Sequence, residues 1–210
     1  MIVLKAVLCG ESGVGKTSFF LRAFGEPFNK NVAATIGVDM RPFEYDEEIT
    51  LNLWDTAGQE RYGSLKGMYF NNTAMYFFCY DTSDMKSLER IVSYWMVECN
   101  WNNVQKDGKA VGFLVACKTD IAPVDEVARE IATFYHLTIL ESSASRNDNS
   151  CRIAVEQAII VLRTAHKIVY EELKKDPINA SEPIDLEPLY DPETYTEAEK
   201  KPKNKKSCHC

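Results

Sequence analysis

Long apolar runs are missing from this chain of 210 residues, although 45% of its residues are apolar. No segment approaches the roughly 18 consecutive apolar residues that a transmembrane helix requires. The N-terminal stretch "MIVLKAVLCGES" is interrupted by glycine and glutamate too early to be a secretory signal peptide. The sequence therefore predicts a protein that is made and kept in the cytosol.

A surplus of positive charge is also lacking, because the net charge is −7 at pH 7. The charge is unevenly distributed: residues 176–199 contain eight acidic and no basic residues, and "KKPKNKK" at residues 200–206 contains five lysines. The remaining body, residues 1–175, carries a net charge of −4. An acidic body does not attract a polyanion, so we expect no nucleic-acid partner.

The seven cysteines do not indicate a disulfide framework or a zinc site. Cys9, Cys79 and Cys117 lie in or beside apolar, strand-like runs, where a reduced thiol packs as a small hydrophobic group. Reduced thiols are typical of the cytosol. His136 and His166 are expected at a helix end and on a helix surface, and we assign them no chemistry.

The composition divides the chain into a globular domain, residues 1–175, and a tail, residues 176–210. Four prolines are spread through the acidic part of the tail. A segment of this composition cannot bury enough apolar surface to fold, so we expect it to be disordered.

Short apolar runs alternate with amphipathic segments along the domain. The predicted strands are residues 2–9, 37–45, 49–54, 75–80, 111–117 and 137–140, and the predicted helices are residues 16–24, 84–100, 124–135 and 150–174. The second and third strands form a predicted hairpin, and the uninterrupted apolar runs are typical of buried parallel strands. This order predicts an α/β fold, with a mostly parallel six-stranded sheet flanked by helices and ligands bound at the carboxyl ends of the strands.

The first strand ends in "GESGVGKT", residues 10–17, which matches the phosphate-binding pattern G-x-x-x-x-G-K-[ST]. Its glycines allow backbone N–H groups to surround phosphate oxygens, Lys16 reaches the terminal phosphates, and the Thr17 hydroxyl is a potential Mg²⁺ ligand. The alternative is a simple glycine-rich turn. The third strand ends in "WDTAGQE", where Asp55 can hold Mg²⁺ through water and Gly58 can donate to a γ-phosphate.

With these motifs the chain resembles the Ras superfamily of small GTPases, and the Rab family most closely. The resemblance covers residues 1 to about 175, and rests on "GESGVGKT", "TIGVD" at 35–39, "WDTAGQERY" at 54–62, "CKTD" at 117–120 and "ESSAS" at 141–145. It implies a small GTPase domain with the P-loop NTPase fold, which binds GTP or GDP with Mg²⁺ and hydrolyses GTP as a switch in vesicle trafficking.

The resemblance also implies residue roles. Thr17, Thr35 and Asp55 would hold Mg²⁺, and Gln59 would orient the attacking water, with Lys16 and Thr35 assisting catalysis. The nucleotide contacts implied are Gly10, Ser12, Gly13, Val14, Gly15, Lys16, Thr17, Ser18, Phe28, Thr35, Gly58, Lys118, Asp120, Ser143 and Ala144.

Residues 29–39 and 58–71 would respond to the bound nucleotide. Trp54 and Phe70 would lie on or near an effector surface or, equally, would pack in the core. Met40 stands where the family usually has Phe.

The base-reading motif departs from the family pattern Asn-Lys-x-Asp, because Cys117 occupies the Asn position. Asp120 can still accept two hydrogen bonds from guanine, which adenine cannot offer. A thiol is a poor donor and acceptor, and the lost bonds should cost about 1 to 3 kcal/mol, or roughly 5- to 150-fold in affinity. Ser145 also replaces a packing side chain, so we expect weakened guanine binding and faster nucleotide exchange.

The chain ends in Cys208 and Cys210, and a Cys-x-Cys end taken alone would be compatible with a metal-binding or a merely disordered terminus. On a Rab-like body it resembles a site for two geranylgeranyl groups, which together with the lysine run would anchor the protein to anionic membranes. The resemblance further implies an exchange factor, a GTPase-activating protein, an escort protein or dissociation inhibitor, and effectors as partners. The protein would be cytoplasmic and would cycle to the cytosolic face of intracellular membranes.

Two other functions remain open at this stage. The altered base loop is compatible with a membrane-tethered scaffold that binds nucleotide poorly and does not hydrolyse it. A metabolic P-loop kinase is disfavoured, because a kinase has no use for a water-orienting glutamine in "DTAGQE".

Overall fold

The computed structural model describes residues 1–35, 37–56, 69–108 and 110–164, together with residues 166, 167, 170, 171 and 174. The chain divides into two units, Met1–Ala180 and Ser181–Cys210. The second unit lies outside the described residues, and so does the whole predicted tail, residues 176–210. The predicted boundary at residue 175 therefore stays a prediction.

Six strands form a single sheet, as the alternation of apolar runs predicted. They are β1 (Ile2–Cys9), β2 (Val38–Glu44), β3 (Ile49–Thr56), β4 (Met75–Asp81), β5 (Val111–Cys117) and β6 (Thr138–Glu141). Their order is β2-β3-β1-β4-β5-β6. The predicted hairpin is confirmed, since β2 and β3 pair antiparallel and the remaining pairs are parallel.

Five helices of the described residues flank this sheet, and all but the third lie close to predicted positions. They are α1 (Lys16–Ala23), α2 (Met85–Arg90), α3 (Trp101–Lys106), α4 (Glu126–Phe134) and α5 (Ser150–Thr164). Asp84 and Asp125 cap the second and fourth, since their carboxylates accept from the backbone N–H groups of Lys86 and Val127.

The predicted single helix over residues 84–100 is interrupted. After α2 the chain makes a π-helical turn, Ile91–Trp95, and then a short helical turn, Met96–Glu98. Asn100 then adopts a left-handed conformation (φ 54°) and starts α3, a helix that the sequence analysis missed. A π-helical turn adds a residue to the helix and rotates the side chains that follow it.

The core lies in two clusters on opposite faces of the sheet. Along β4 and β5 every residue is buried, which explains their uninterrupted apolar sequences. Side chains on one face pack beneath α1 and α5, and those on the other pack beneath α2 to α4. Among the described helices, none is long and apolar enough to cross a membrane.

Candidate functional site

The loop between β1 and α1 is folded tightly against the end of β4. Gly10 has a φ of 148°, and a Cβ atom at this position would lie only 2.2 Å from the backbone oxygen of Cys79. Gly15 has a φ of 113° and precedes the first residue of α1. At position 10 only glycine avoids a collision with the Cys79 backbone. At position 15 glycine is favoured because it adopts a positive φ without steric cost. The loop therefore presents its backbone at the N-terminus of α1.

Lys16 lies at the centre of this loop. Its Nζ donates to the backbone oxygens of Gly10 and Glu11, both at 2.8 Å, and its side chain is buried. Burial lowers the pKa of Lys16, and the nearby thiols and the Asp55 carboxylate act in the opposite direction. The arrangement holds a desolvated cation against the loop, where the phosphate-binding pattern places it.

Glu11 connects the same loop to the helical segment that contains the π turn. Its Oε1 accepts from Arg90 Nε and from the indole Nε1 of Trp95, both at 3.1 Å. Trp95 is the last residue of the π turn. These contacts tie the phosphate loop to the opposite side of the sheet, and the sequence analysis missed them.

Three side chains from different elements meet beside Lys16. The hydroxyl oxygens of Thr17 and Thr35 are 2.6 Å apart, and the Thr35 hydroxyl donates to Asp55 Oδ2 at 3.2 Å. Asp55 is fully buried, and burial raises the pKa of its carboxyl group despite the hydroxyls and Lys16 nearby. Its Oδ1 has no hydrogen-bond partner among the described residues.

This group of oxygen atoms fits a divalent cation. Hydroxyl and carboxylate oxygens are the ligands that Mg²⁺ prefers, and an unsatisfied buried carboxylate oxygen is costly unless a cation or water meets it. The described residues contain no group of three or more His, Cys, Asp or Glu that could hold a metal ion. A cation here would depend on the two threonines and on a single carboxylate.

At the other end of the site, Asp120 is exposed and held by serines. The Ser143 hydroxyl donates to Asp120 Oδ1 at 2.5 Å and lies 3.1 Å from the Ser145 hydroxyl. The Ser143 hydrogen bond is the main cause of the lowered pKa of Asp120, and Ser145 and Arg146 also contribute. The carboxylate is therefore ionised and fixed in orientation.

Lys118 joins the two ends. Its Nζ donates to the backbone oxygen of Gly13 at 2.9 Å and to Asp81 Oδ2 at 2.6 Å. Its backbone has a φ of 61°, a left-handed conformation that costs about 1 kcal/mol or more in a residue other than glycine. Burial acts to raise the pKa of Asp81, but hydrogen bonds from Lys118 and Ser83 lower it overall.

A cavity of about 540 Å³ connects these groups. The predicted site residues that line it are Ser12, Gly13, Gly15, Lys16, Thr17, Ser18, Phe28, Thr35, Lys118, Asp120 and Ala144. Four other predicted site residues do not line it. Gly10, Asp55 and Ser143 hydrogen-bond to the lining residues Lys16, Thr35 and Asp120, respectively, and Val14 is buried in the core. Gly58 and Gln59 lie outside the described residues, as do the predicted lipidation sites Cys208 and Cys210.

Cys117 is buried at the wall of this cavity, at the end of β5. A Cβ atom added to Gly15 would lie 3.6 Å from Cys117 Cβ, so the phosphate loop packs directly over this residue. Burial raises the pKa of the neighbouring Cys79 thiol well above its usual value. Both cysteines are free and buried, as predicted.

Comparison with known proteins agrees with this geometry. The model of the Ras family matches residues 5–163. This chain belongs to the Ras family. It is a Rab-like small GTPase, and its sheet is the mostly parallel, six-stranded sheet of a P-loop GTPase.

Several Rab-related proteins are similar to this GTPase over most of their length. Ras-related protein SEC4 of Candida albicans is 32% identical over 171 residues, which cover 76% of this chain and 78% of that protein. Ras-related protein RabC of Dictyostelium discoideum is 34% identical over 161 residues, covering 72% and 80%. GTP-binding protein ypt1 of Schizosaccharomyces pombe is 32% identical over 169 residues, covering 76% and 78%.

The predicted effector residues of the GTPase differ in exposure. Trp54 is 8% exposed and lies beneath the Lys5 ammonium group, whose Nζ is 4.4 Å from the ring centroid. Burial lowers the pKa of Lys5 to about 8. Phe70 is partly buried in the same cluster, whereas Met40 is 38% exposed. The packing of Trp54 favours a core role for this residue.

The sequence analysis missed two residues that contact the 117–120 segment of the site. Asp81, the partner of Lys118, ends strand β4, and the rule that placed the other motifs at strand ends would have found it. Arg146 donates to the Thr119 backbone oxygen at 2.7 Å. A single arginine in a polar loop gives no comparable signal in the sequence.

Proposed function

We propose that this Rab-like GTPase binds GDP and GTP, with Mg²⁺, in the cavity described above and acts as a nucleotide-dependent switch in vesicle trafficking. One observation carries the proposal: a single cavity joins a phosphate loop, a threonine pair beside a buried aspartate, and an ionised aspartate at its far end. These groups match the phosphates, the metal ion and the base of a purine nucleotide.

The phosphate end of the cavity has the groups that a polyphosphate requires. Backbone N–H groups at the start of α1 would bind phosphate oxygens, and Lys16 would exchange its backbone partners for the terminal phosphates. Thr17 and Thr35 would ligate Mg²⁺, and Asp55 would hold it through water. When bound, Mg²⁺ would neutralise charge on the terminal phosphates.

The base end favours guanine. Asp120 would accept from two N–H groups of guanine, an interaction that adenine cannot reproduce. The Lys118 stem would cover the base, held in place by its bonds to Gly13 and Asp81. Phe28, which is 44% exposed at the cavity, would pack against the base from the other side.

Gln59 would orient the water that attacks the γ-phosphate, as the family resemblance implies. Thr35 lies within hydrogen-bond distance of Thr17, which supports its role in closing the segment at residues 29–39 over the γ-phosphate. Hydrolysis would release this contact, so the segment would report which nucleotide is bound.

The anchoring of this GTPase is part of the proposal. Cys208 and Cys210 would carry geranylgeranyl groups, and the lysine run would add attraction to anionic lipid. The protein would be cytoplasmic and would cycle to the cytosolic face of intracellular membranes. An exchange factor, a GTPase-activating protein, an escort protein or dissociation inhibitor, and effectors would act on it.

The decisive experiment is a binding and single-turnover measurement on the purified, Mg²⁺-loaded protein. Fluorescent GDP, GTP and ATP analogues are titrated, their dissociation is followed, and GTP hydrolysis is measured for the wild type and for Gln59→Leu. We expect binding of GDP and GTP in preference to ATP, with slow hydrolysis that Gln59→Leu abolishes without loss of binding. Asp120→Ala should remove the preference for guanine.

Absence of guanine-nucleotide binding would contradict the proposal and would favour a membrane-tethered scaffold. Binding of ATP as tightly as GTP would contradict the assignment of Asp120 as the base reader. Equal hydrolysis by the wild type and Gln59→Leu would contradict the assigned role of Gln59.

A further inference from the structure

Arg146 bridges the two loops that form the base end of the cavity. Its Nη2 donates to the backbone oxygen of Thr119 at 2.7 Å. Arg146 follows β6, whereas Thr119 belongs to the base-reading motif that follows β5. The contact therefore connects two segments separated by 27 positions in the chain.

Arg146 is itself held from two sides. Its backbone N–H donates to the Ser143 hydroxyl at 3.3 Å, and Ser143 in turn donates to Asp120. Its backbone oxygen accepts from Arg22 Nη2 at 3.2 Å. Arg22 lies in the last turn of α1, so these contacts connect the base end of the cavity to the C-terminal end of that helix. We call the contacts joining Arg22, Arg146 and Thr119 the Arg146 clasp.

Cys117 weakens the connections of the base-reading loop, although Thr119 still donates to the Ser142 backbone oxygen from its N–H at 3.2 Å and from its hydroxyl at 3.1 Å. In the family pattern an Asn at this position ties the loop to its neighbours, and a thiol is a weak donor and acceptor. The charged guanidinium of Arg146 donates a strong hydrogen bond to the same loop, at Thr119, two residues after Cys117. Its charge also acts on Asp120, where it helps to keep the carboxylate ionised.

We propose that Arg146 is a positioning residue which holds the Asp120 loop in place of the missing Asn, and that the Arg146 clasp sets the rate of nucleotide release. This inference rests on the proposed nucleotide-binding function. It assigns the retention of guanine nucleotide in this chain to a side chain outside the five matched motifs. The clasp offsets part of the loss expected from Cys117.

The test is a double-mutant cycle on GDP dissociation with Arg146→Ala and Cys117→Asn. Loss of one charged hydrogen bond should accelerate GDP release about three- to tenfold in the wild-type background. In the Cys117→Asn background the same change should have an effect below about twofold, since Asn itself connects the loops. Arg146→Lys should restore part of the slow release.

Release of inosine diphosphate shows whether Arg146→Ala acts by moving Asp120 or by destabilising the whole domain. This nucleotide lacks the exocyclic amine and therefore makes only one of the two bonds to Asp120. If Arg146 positions Asp120, Arg146→Ala should accelerate GDP release more than release of inosine diphosphate. Arg152→Ala is the matched control, because Arg152 pairs with Glu156 on α5, away from the cavity.

Three results would overturn the inference: GDP release by Arg146→Ala within about twofold of wild type, equal acceleration for both nucleotides, or equal effects in both backgrounds. A wild-type protein that binds no GDP would instead contradict the proposed function. The two failures are therefore distinguishable in the same experiment.

Discussion

Asp55 is completely buried at the end of β3, and burial opposes the ionisation that Mg²⁺ binding requires. Its pKa lies above that of the unfolded chain, so the unfolded state binds fewer protons between the two values. The stability of the metal-free fold therefore falls as pH rises through this range, and the full loss persists above the folded pKa. At neutral pH the carboxylate destabilises the metal-free protein.

We therefore expect Asp55→Asn to have opposite effects with and without metal. At pH 7 and in EDTA, the substitution should raise the midpoint of thermal unfolding, and the gain should shrink as the pH falls through the range from the raised pKa of folded Asp55 to the lower pKa of the unfolded chain. With saturating GDP and Mg²⁺ it should lower the midpoint, because a cation that binds only the folded state stabilises it. A lower midpoint in EDTA would contradict the conclusion that the Asp55 carboxylate destabilises the metal-free protein. Asp107→Asn, an exposed carboxylate at the end of α3, is the control.

Cys117 occupies the Asn position of the family pattern, and we expect this replacement to reduce the affinity for guanine nucleotide. The structure places its side chain at the cavity wall beneath the phosphate loop. With Arg146 already joining the loops, we place the effect of Cys117→Asn at the lower end of the expected range. A single added hydrogen bond corresponds to about fivefold slower GDP release.

The phosphate loop lies so close to β4 that a side chain at Gly10 would collide with the backbone. Gly10 and Gly25 both have positive φ values, 148° and 82°. A Cβ atom at Gly10 would meet the Cys79 backbone oxygen, whereas one at Gly25 would meet nothing within 4 Å. The two glycines therefore separate the effect of a collision from that of conformational strain.

We expect Gly10→Ala to displace the loop from β4. Overpacking of this kind costs about 1 to 3 kcal/mol in unfolding free energy. Because the displaced loop is part of the proposed phosphate site, the same free energy should lower GDP affinity about tenfold or more. Gly25→Ala should cost about 1 kcal/mol from strain alone and leave GDP affinity nearly unchanged. Urea unfolding and GDP titration measure both quantities. Equal affinity losses in the two variants would exclude the contact with Cys79 as the cause.

The helical segment after β4 illustrates why element boundaries differed from prediction. Apolar periodicity predicted one helix over residues 84–100, but a π-helical turn ends at Trp95, whose indole N–H donates to Glu11. This partner lies 84 positions away in the chain. Local propensity contains no information on such a contact, so only the folded arrangement could reveal the turn.

At the scale of the whole molecule, charge is divided between an acidic body, an acidic linker and a lysine run. Near anionic lipid each lysine can contribute about 1 kcal/mol. The acidic linker, residues 176–199, would be repelled by the same surface. Membrane residence should therefore depend on lipid charge as well as on the prenyl groups that we propose at Cys208 and Cys210.

We expect the prenylated protein to dissociate faster from phosphatidylserine-containing vesicles when the five lysines of residues 200–206 are changed to glutamine. On neutral phosphatidylcholine vesicles the same change should have no effect, because only the electrostatic attraction is removed. Stopped-flow transfer between vesicles measures both rates. An equal effect on the two lipids would contradict an electrostatic role, and GDP release should be unaltered throughout.

The sequence by itself determined the order of the six strands along the chain, all but one of the helices described, the matches to the phosphate-binding and Asn-Lys-x-Asp patterns, and the family. These depend on apolar periodicity and on short motifs whose residues are close together in the chain. Only the tertiary structure brought Thr35 to Thr17 and Asp55, joined Lys118 to Asp81, and placed Arg146 on Thr119. Such contacts link positions far apart in the chain, and their distances are set by the packing of whole elements against the sheet.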